Sequence, residues 1–363
     1  MTSRASSRPE GPATADPAGG ALAAWRRIAT GRAEAPLPPG AGESLAAFTG
    51  AAGADWLLGP EAGLDPGRVE ASRLFNRFAR ARHESVLADI LEAGIPIVAL
   101  KGFASAYQLF PDPDLRAMGD LDLLVRPRDR DRLIALLASQ GFAFQVMPTR
   151  PWGFISTASY QPFVSPDGTV NLDIHVAPDC APVPASLSVE QLFAEAQPLP
   201  GCRLDLRGPA PNHAFLLFAS NAAKDKFGRL AVKKAVDALL LLLRRERAGE
   251  LAVDWPTLAE TARRGRYLKP IRVFLTLLGR FGADLSDLPD TLRRPPTGLA
   301  GRELDRVVRD WDSFFARGEG LADYLRRELL LTAEPSVALA NNWARLKGLV
   351  RPRSGLPRRL PAD

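Results

Sequence analysis

The stretch that decides the fold is IPIVALKGFASAYQLFPDPDLRAMGDLDLLV, residues Ile95–Val125. Its first part, Ile95–Leu100, is an apolar and partly β-branched run that predicts a buried strand. A short helix is expected over Gly102–Phe110, because two prolines follow that segment and would stop it. Asp120–Val125 then predicts a second strand.

The segments around this stretch predict the rest of an α+β unit. Apolar residues recur at helical spacing over Arg68–Ala93, and Arg128–Gln140 reads as an amphipathic helix. Two extended runs, Ser159–Val164 and Val170–Val176, flank the turn sequence SPDG and predict a hairpin. We therefore expect a small mixed sheet with helices around it.

The remainder of the chain reads as helical. Helices are predicted over Ala214–Asn221, Leu230–Glu250, Trp255–Arg264, Leu268–Phe281, Glu303–Ala316 and Leu321–Leu346. The expected organisation is a disordered tail at 1–20, an N-terminal helical segment at 21–67, an α/β core at 68–205, a helical domain at 206–346 and a basic Pro/Arg tail at 347–363.

Composition and charge limit the classes of function. The chain has 363 residues and a net charge of +6, with 46% hydrophobic and 24% charged residues, which excludes disorder of the whole chain. The last 17 residues carry +4 and the segment 221–247 carries +5, so the rest is acidic at −3. The basicity is therefore local, and it does not by itself predict a nucleic-acid partner.

Location is also limited by the sequence. Cys180 and Cys202 are too few for a disulfide framework and favour a reducing compartment. No apolar run is long enough for a membrane span, and the N-terminal residues lack the apolar core of a secretory signal. We expect a cytoplasmic protein with no membrane contact.

The acidic residues carry the chemistry. On a strand, Asp120 and Asp122 are two positions apart and project from one face, while Leu121 and Leu123 take the other. Close carboxylates repel each other unless a cation lies between them, and Mg²⁺ prefers such oxygen ligands. Asp173, on the outgoing strand of the hairpin, would be a third carboxylate. Three such residues on neighbouring strands can hold two metal ions, the arrangement that suits in-line phosphoryl or nucleotidyl displacement.

The turn between the first strand and the first short helix indicates phosphate binding. Gly102 lets backbone amides approach an anion, the helix N-terminus favours negative charge, and Lys101 adds a cation. Each residue also has a plain structural interpretation: a solvated acidic strand end for the aspartates, and a lysine reaching water for Lys101.

The order apolar strand, Lys-Gly, short helix, PDPDLRAMGDLDLLV and a later Asp-x-His resembles the uncharacterised nucleotidyltransferase family of the polymerase-β-type superfamily. The resemblance is good over Arg68–His175 and weaker to Leu243. It implies transfer of a nucleoside monophosphate from an NTP, with two Mg²⁺ ions bound by Asp120, Asp122 and Asp173. The superfamily usually has Gly-Ser or Gly-Gly in the turn, so here Lys101 or Ser105 would take over the phosphate contact.

Three further residues are candidates for the site. Arg116 either contacts the triphosphate or forms a surface ion pair. His175 could orient a carboxylate, contact the substrate or serve as a base, or it is structural. Lys226 shares a predicted helix face with Arg229 and Lys233, a face that either meets the triphosphate or is simply solvated.

The leading hypothesis is thus a Mg²⁺-dependent nucleotidyltransferase whose acceptor is a small molecule, a peptide, a protein or an RNA end. The alternative is a non-catalytic nucleotide-binding or interaction module that retains the fold. A nucleic-acid binder acting through the basic tail ranks last, because no nucleic-acid-binding motif accompanies it.

Overall fold

The computed structural model of the chain describes residues 22–26, 65–145, 162–178, 187–248 and 253–350. The tail expected at 1–20, most of the segment 21–67 and the last 13 residues of the basic tail lie outside these ranges. Within them, no helix combines the length and the apolar composition that crossing a bilayer requires.

Helix α1, Pro66–Glu92, confirms the first predicted helix. It begins at Asp65, whose carboxylate accepts a hydrogen bond from the amide of Gly67 at 3.0 Å, and Pro66 occupies the first helical position. It ends before Gly94, which has a left-handed φ of 64° and takes a conformation that costs glycine little.

The polar face of α1 holds the loop that precedes the second strand. Arg77 and Arg80 donate to the Asp114 carboxylate at 2.7 and 2.8 Å, and the Asn76 amide donates to the Asp114 carbonyl at 2.9 Å. Asp114 is buried, so these partners offset the desolvation of its charge. Helix α1 is therefore joined to the α/β core through charged groups as well as through apolar packing.

The α/β core follows the predicted order. Its elements are β1 Ile97–Ala99, α2 Lys101–Leu109, a 3₁₀ turn Pro113–Leu115, β2 Leu121–Val125, α3 Arg130–Ser139, β3 Ala143–Phe144, β4 Phe163–Val164 and β5 Asn171–His175. The five strands form one mixed sheet in the order β1-β2-β5-β4-β3. The β2–β5 pair is parallel, and the other neighbours are antiparallel.

The predicted hairpin is confirmed where the structure describes it. Val164 pairs with Asn171, and the Ser165 amide donates to the Val170 carbonyl at 2.9 Å, which closes the turn. Gly168 has a φ of 70° within that turn. Residues 159–161 of the first predicted run lie outside the described ranges.

The sheet separates two hydrophobic cores because side chains alternate along its strands. Leu121, Leu123 and Ile174 pack against α1, α2 and α3. Val98 and Leu124 point the other way and pack into the core of the helical region. The face that carries Asp122 is therefore the face covered by the C-terminal helices.

The helical region follows a short helix and a two-stranded ribbon. The elements are α4 Val189–Glu195, β6 Gln197–Pro198, β7 Arg207–Gly208, α5 Pro211–Lys224, a 3₁₀ turn Arg229–Ala231, α6 Val232–Ala248, α7 Trp255–Arg264, α8 Leu268–Arg280, α9 Asp290–Arg293, α10 Gly298–Asp312, α11 Leu321–Leu331 and α12 Pro335–Val350. Helix α5 lies at its centre, since every residue from His213 to Ala223 is buried. Helical residues 22–26 also pack here, with the Trp25 ring stacked on Trp311 at 5.4 Å.

Two helix predictions need correction. The segment predicted as one helix over Leu321–Leu346 forms two helices, because the first helix ends at Leu331 and the next begins at Pro335. Proline is suited to the first position of a helix, where its missing amide hydrogen is not needed for a hydrogen bond. The helix predicted over Glu303–Ala316 begins earlier, at Gly298, and ends at Asp312. The prediction over Trp255–Arg264 is confirmed with the same bounds.

Candidate active site

The site is built on the two central parallel strands. In their register Asp122 lies beside Asp173, and Leu124 lies beside His175. Residues that are neighbours across a ladder, or two apart along a strand, share a face, so Asp122, Asp173 and His175 project together. One ligand atom from each lies within 4.8 Å of the others, and within the described ranges these three form the group suited to metal binding.

Lys101, the first residue of α2, completes the cluster. Its Nζ lies 2.5 Å from Asp122 Oδ1, and His175 Nε2 lies 2.8 Å from the same oxygen. The main chain at Lys101 is left-handed, with a φ of 48°, which costs a non-glycine residue roughly 1–2 kcal/mol. Gly102, by contrast, does not have a positive φ.

The charges of the cluster follow from its burial. Burial alone would raise the pKa of Asp122, but the Lys101 ammonium and the His175 ring hold it well below its usual range. Burial and the charge of Asp122 raise the pKa of Asp173 to about 6. Burial, together with Lys101, lowers the pKa of His175. At neutral pH Asp122 is therefore ionised and His175 is neutral.

The proton of the His175 ring can be placed from these contacts. An ionised carboxylate only accepts hydrogen bonds, so the neutral ring carries its hydrogen on Nε2 and donates it to Asp122. His175 thereby fixes the orientation of the Asp122 carboxylate. Its other nitrogen, Nδ1, is buried without a hydrogen-bond partner among the described residues.

Asp173 has an unsatisfied oxygen. Its Oδ1 is buried and makes no hydrogen bond within the described ranges, although its neighbour Asp122 has two partners. A buried carboxylate oxygen without a donor is unfavourable unless a proton or a cation satisfies it. The two side-by-side carboxylates on one sheet face, one of them oriented by the His175 ring, fit a divalent cation with oxygen preference.

Asp120 lies at the rim of this cluster. The residue directly precedes β2 and is exposed to solvent, and it is not one of the three residues whose ligand atoms group together. The surrounding protein and the charge of Asp122 nevertheless raise the pKa of Asp120. The predicted trio of aspartates is thus arranged as an inner pair, Asp122 and Asp173, with Asp120 outside it.

The other predicted phosphate contacts lie in different surroundings. Gly102 is the second residue of α2 and lies beside Met118, and Ser105 is buried in the first turns of the same helix with 2% of its surface exposed. Arg116 is buried and forms a bidentate ion pair with Asp237 of α6, with both N–O distances at 2.9 Å. Arg116 therefore forms an ion pair, but the pair is buried inside the protein and not at its surface.

The helix face predicted for Lys226, Arg229 and Lys233 does not exist, because these residues do not belong to one helix. Helix α5 ends at Lys224, and the chain turns through Lys226 and Phe227, both left-handed, with φ of 56° and 50°. Lys226 is buried, and its Nζ donates to the Lys224 carbonyl at 3.0 Å.

Two lysines whose charges act on the carboxylates are Lys224, which sequence reasoning missed, and Lys233, which it placed on a helix face with Lys226 and Arg229. The positive charge of Lys224, the last residue of α5, acts on both Asp173 and His175. Lys233, in the first turn of α6, acts with Lys234 on Asp120. The sequence shows that basic residues cluster in the segment 221–247. Where the individual lysines lie in the fold depends on the turn at 225–228, which the sequence pattern did not reveal.

The strand–turn–helix unit, the carboxylate pair on adjacent strands and the helices over that face are consistent with the core of a nucleotidyltransferase. A family model described as "Uncharacterised nucleotidyltransferase" matches residues 67–282, more than half of the chain. The chain belongs to this family, which supports a role in nucleotidyl transfer. Neither the curated proteins nor the solved structures give a match.

Proposed function

We propose that this protein is a Mg²⁺-dependent nucleotidyltransferase that moves a nucleoside monophosphate from an NTP to an acceptor and releases pyrophosphate. The acceptor class we favour is a hydroxyl of a small molecule, a peptide or a protein side chain. The cytoplasm, which supplies NTPs and keeps Cys202 reduced, is the proposed location.

The observation that carries this proposal is the unsatisfied carboxylate beside an ionised one. Asp173 Oδ1 is buried without a partner among the described residues, next to Asp122 in the ladder. In this proposal Asp122 and Asp173 hold the metal, and Asp120 at the rim contributes to a second ion. When bound, Mg²⁺ neutralises charge on the transferring phosphoryl group.

The remaining residues bind and orient the substrate. Lys101 and the N-terminal amides of α2 face the phosphates, while Lys224 and Lys233 offset the triphosphate charge from the helical side. His175 orients Asp122 and does not contact the substrate. In this proposal Gly102 permits close approach of the phosphates. Ser105, Arg116 and Lys226 have structural surroundings, and we assign them no phosphate contact.

The transfer step is an in-line displacement at the α-phosphorus. The acceptor oxygen forms the new bond to phosphorus as the bond to the β-phosphate bridging oxygen breaks, and pyrophosphate leaves. Asp173 takes the proton of the acceptor hydroxyl and so acts as the general base. Positioning and charge neutralisation supply most of the catalysis.

The test is NTP-dependent release of pyrophosphate with Mg²⁺, measured for each NTP in the presence of cell-extract acceptors. Asp173→Asn and Asp122→Asn should each lower the rate by about a hundredfold or more. Asp131→Asn, at an exposed position in α3, is the matched control and should leave it unchanged. Unchanged activity in both site variants would contradict the proposed roles of Asp122 and Asp173. A wild-type protein that binds no NTP would contradict the proposal that the protein is a nucleotidyltransferase.

A non-catalytic nucleotide-binding module is the second candidate, and one observation favours it. Lys101 already places a cation on Asp122, so the acidic pair is partly neutralised without a metal. A binding module predicts that ATP or GTP with Mg²⁺ raises the melting temperature while no pyrophosphate appears with any acceptor. Turnover that depends on Asp173 would exclude it.

A further inference from the structure

The Lys101 ammonium contacts Asp122, one of the two carboxylates that we propose hold the metal ion. Its Nζ is 2.5 Å from Asp122 Oδ1 and 3.4 Å from His175 Nε2, so the ammonium lies within the cluster. Asp122 is 3% exposed, which leaves its carboxylate little contact with water as an alternative to these partners.

The contact is one-sided. The same oxygen of Asp122 accepts from both Lys101 and His175, whereas Asp173 Oδ1 has no hydrogen-bond partner among the described residues. An ammonium is a single positive charge on a flexible chain, and here it donates to Asp122 while Asp173 Oδ1 receives no hydrogen bond. A divalent cation between Asp122 and Asp173 would satisfy both, and it would repel the ammonium from Asp122.

We propose that Lys101 and a divalent cation compete for Asp122, so that metal binding releases Lys101 from Asp122 towards the phosphates of the NTP. The inference rests on the proposed metal role of Asp122 and Asp173. It makes Lys101 a resident counter-cation that keeps the empty site neutralised and lowers its affinity for metal until nucleotide arrives to accept the ammonium.

The experiment is a titration of the full-length protein with Mn²⁺ alone, in which electron paramagnetic resonance counts the free ion. Lys101→Gly removes the ammonium and suits the left-handed backbone at this position, and Lys101→Met is a second variant that keeps side-chain bulk. Both should bind Mn²⁺ about tenfold or more tightly than the wild type. Lys101→Arg retains the positive charge and is the matched control, expected to stay near the wild-type affinity.

Two further measurements separate this inference from a structural role. Asp122→Asn should abolish the tighter binding when it is combined with Lys101→Gly, and Mn²⁺ should raise the melting temperature of Lys101→Gly more than that of the wild type. Equal or weaker Mn²⁺ binding by both lysine variants would overturn the inference. That result can occur with a wild type that releases pyrophosphate, and tighter binding can occur in a protein without turnover, so the two proposals fail independently.

Discussion

The buried ion pair between the loop before β2 and helix α6 gives the most demanding test of the fold. Arg116 Nε and Nη2 each lie 2.9 Å from an oxygen of Asp237, and the two side chains are 7% and 3% exposed. Asp237→Leu leaves the Arg116 guanidinium buried without its counter-charge. Arg116→Met likewise leaves the Asp237 carboxylate buried without its counter-charge. Each should cost about 3–5 kcal/mol, out of a total stability of roughly 5–15 kcal/mol.

The double variant distinguishes an ion pair from a simple packing contact. With both charges removed, no unpaired charge remains buried, and apolar side chains of similar size fill the space. The double variant should therefore be more stable than either single variant. Urea unfolding at pH 7, followed by far-ultraviolet circular dichroism, measures all three.

A surface pair serves as the control. Glu260 and Arg263 of α7 are 2.8 Å apart, with side chains 49% and 63% exposed, so Glu260→Gln should change stability by at most about 1 kcal/mol. The reasoning fails if either buried single variant loses less than about 1 kcal/mol, or if the double variant loses the sum of the two singles.

Three other changes probe the cores by the same unfolding assay. Burial lowers the pKa of His83 from 6.5 to about 4. On acidification the histidine is therefore protonated in the unfolded chain before it is protonated in the folded protein. Roughly 3 kcal/mol of stability should be lost as the pH falls from 6.5 to 4. His83→Leu should remove that part of the pH dependence, and an unchanged slope would contradict it. Trp25→Ala should cost about 3–5 kcal/mol of stability, because the ring is fully buried in the helical core. A loss below about 1 kcal/mol would contradict the packing of residues 22–26 against that core. Gly208→Ala would place a methyl group 2.7 Å from Leu199 Cδ2 and should cost about 1–3 kcal/mol, whereas Gly119→Ala meets nothing within 4 Å and should be neutral.

The inner acidic pair could be predicted because strands have a fixed period. Once Asp122 and Asp173 are placed on strands, alternation assigns each to the face opposite the apolar residue that follows it, Leu123 or Ile174. The SPDG turn identified the strand that carries Asp173. Alternation along a strand could not predict that Asp122 and Asp173 lie side by side. Helix α3 and the strands β3 and β4 separate β2 from β5 in the sequence, so their pairing depends on tertiary packing.

The rest of the site depends on contacts between distant segments. Arg116 and Asp237 are 121 positions apart, and no local pattern marks them as partners. The left-handed turn at Lys226 and Phe227 contains no glycine at either residue, so helical spacing was extended through it incorrectly. The break before Pro335 did have a signal, since proline cannot continue a helix without losing a hydrogen bond.

The position of the acidic face explains why the helical region belongs to the site. Leu124 lies on the same face of β2 as Asp122 and is buried in the helical core, so the carboxylates are bordered by α5 and α6. Those helices carry Lys224 and Lys233, whose charges act on Asp173 and on Asp120. The Arg116–Asp237 pair fixes α6 four residues after Lys233, about one helical turn, and so holds that lysine near the acidic rim. The family match ends at residue 282, just after α8, so it includes both lysine-bearing helices. A chain cut after the sheet would therefore keep the carboxylates but lose the charges that we propose bind the triphosphate.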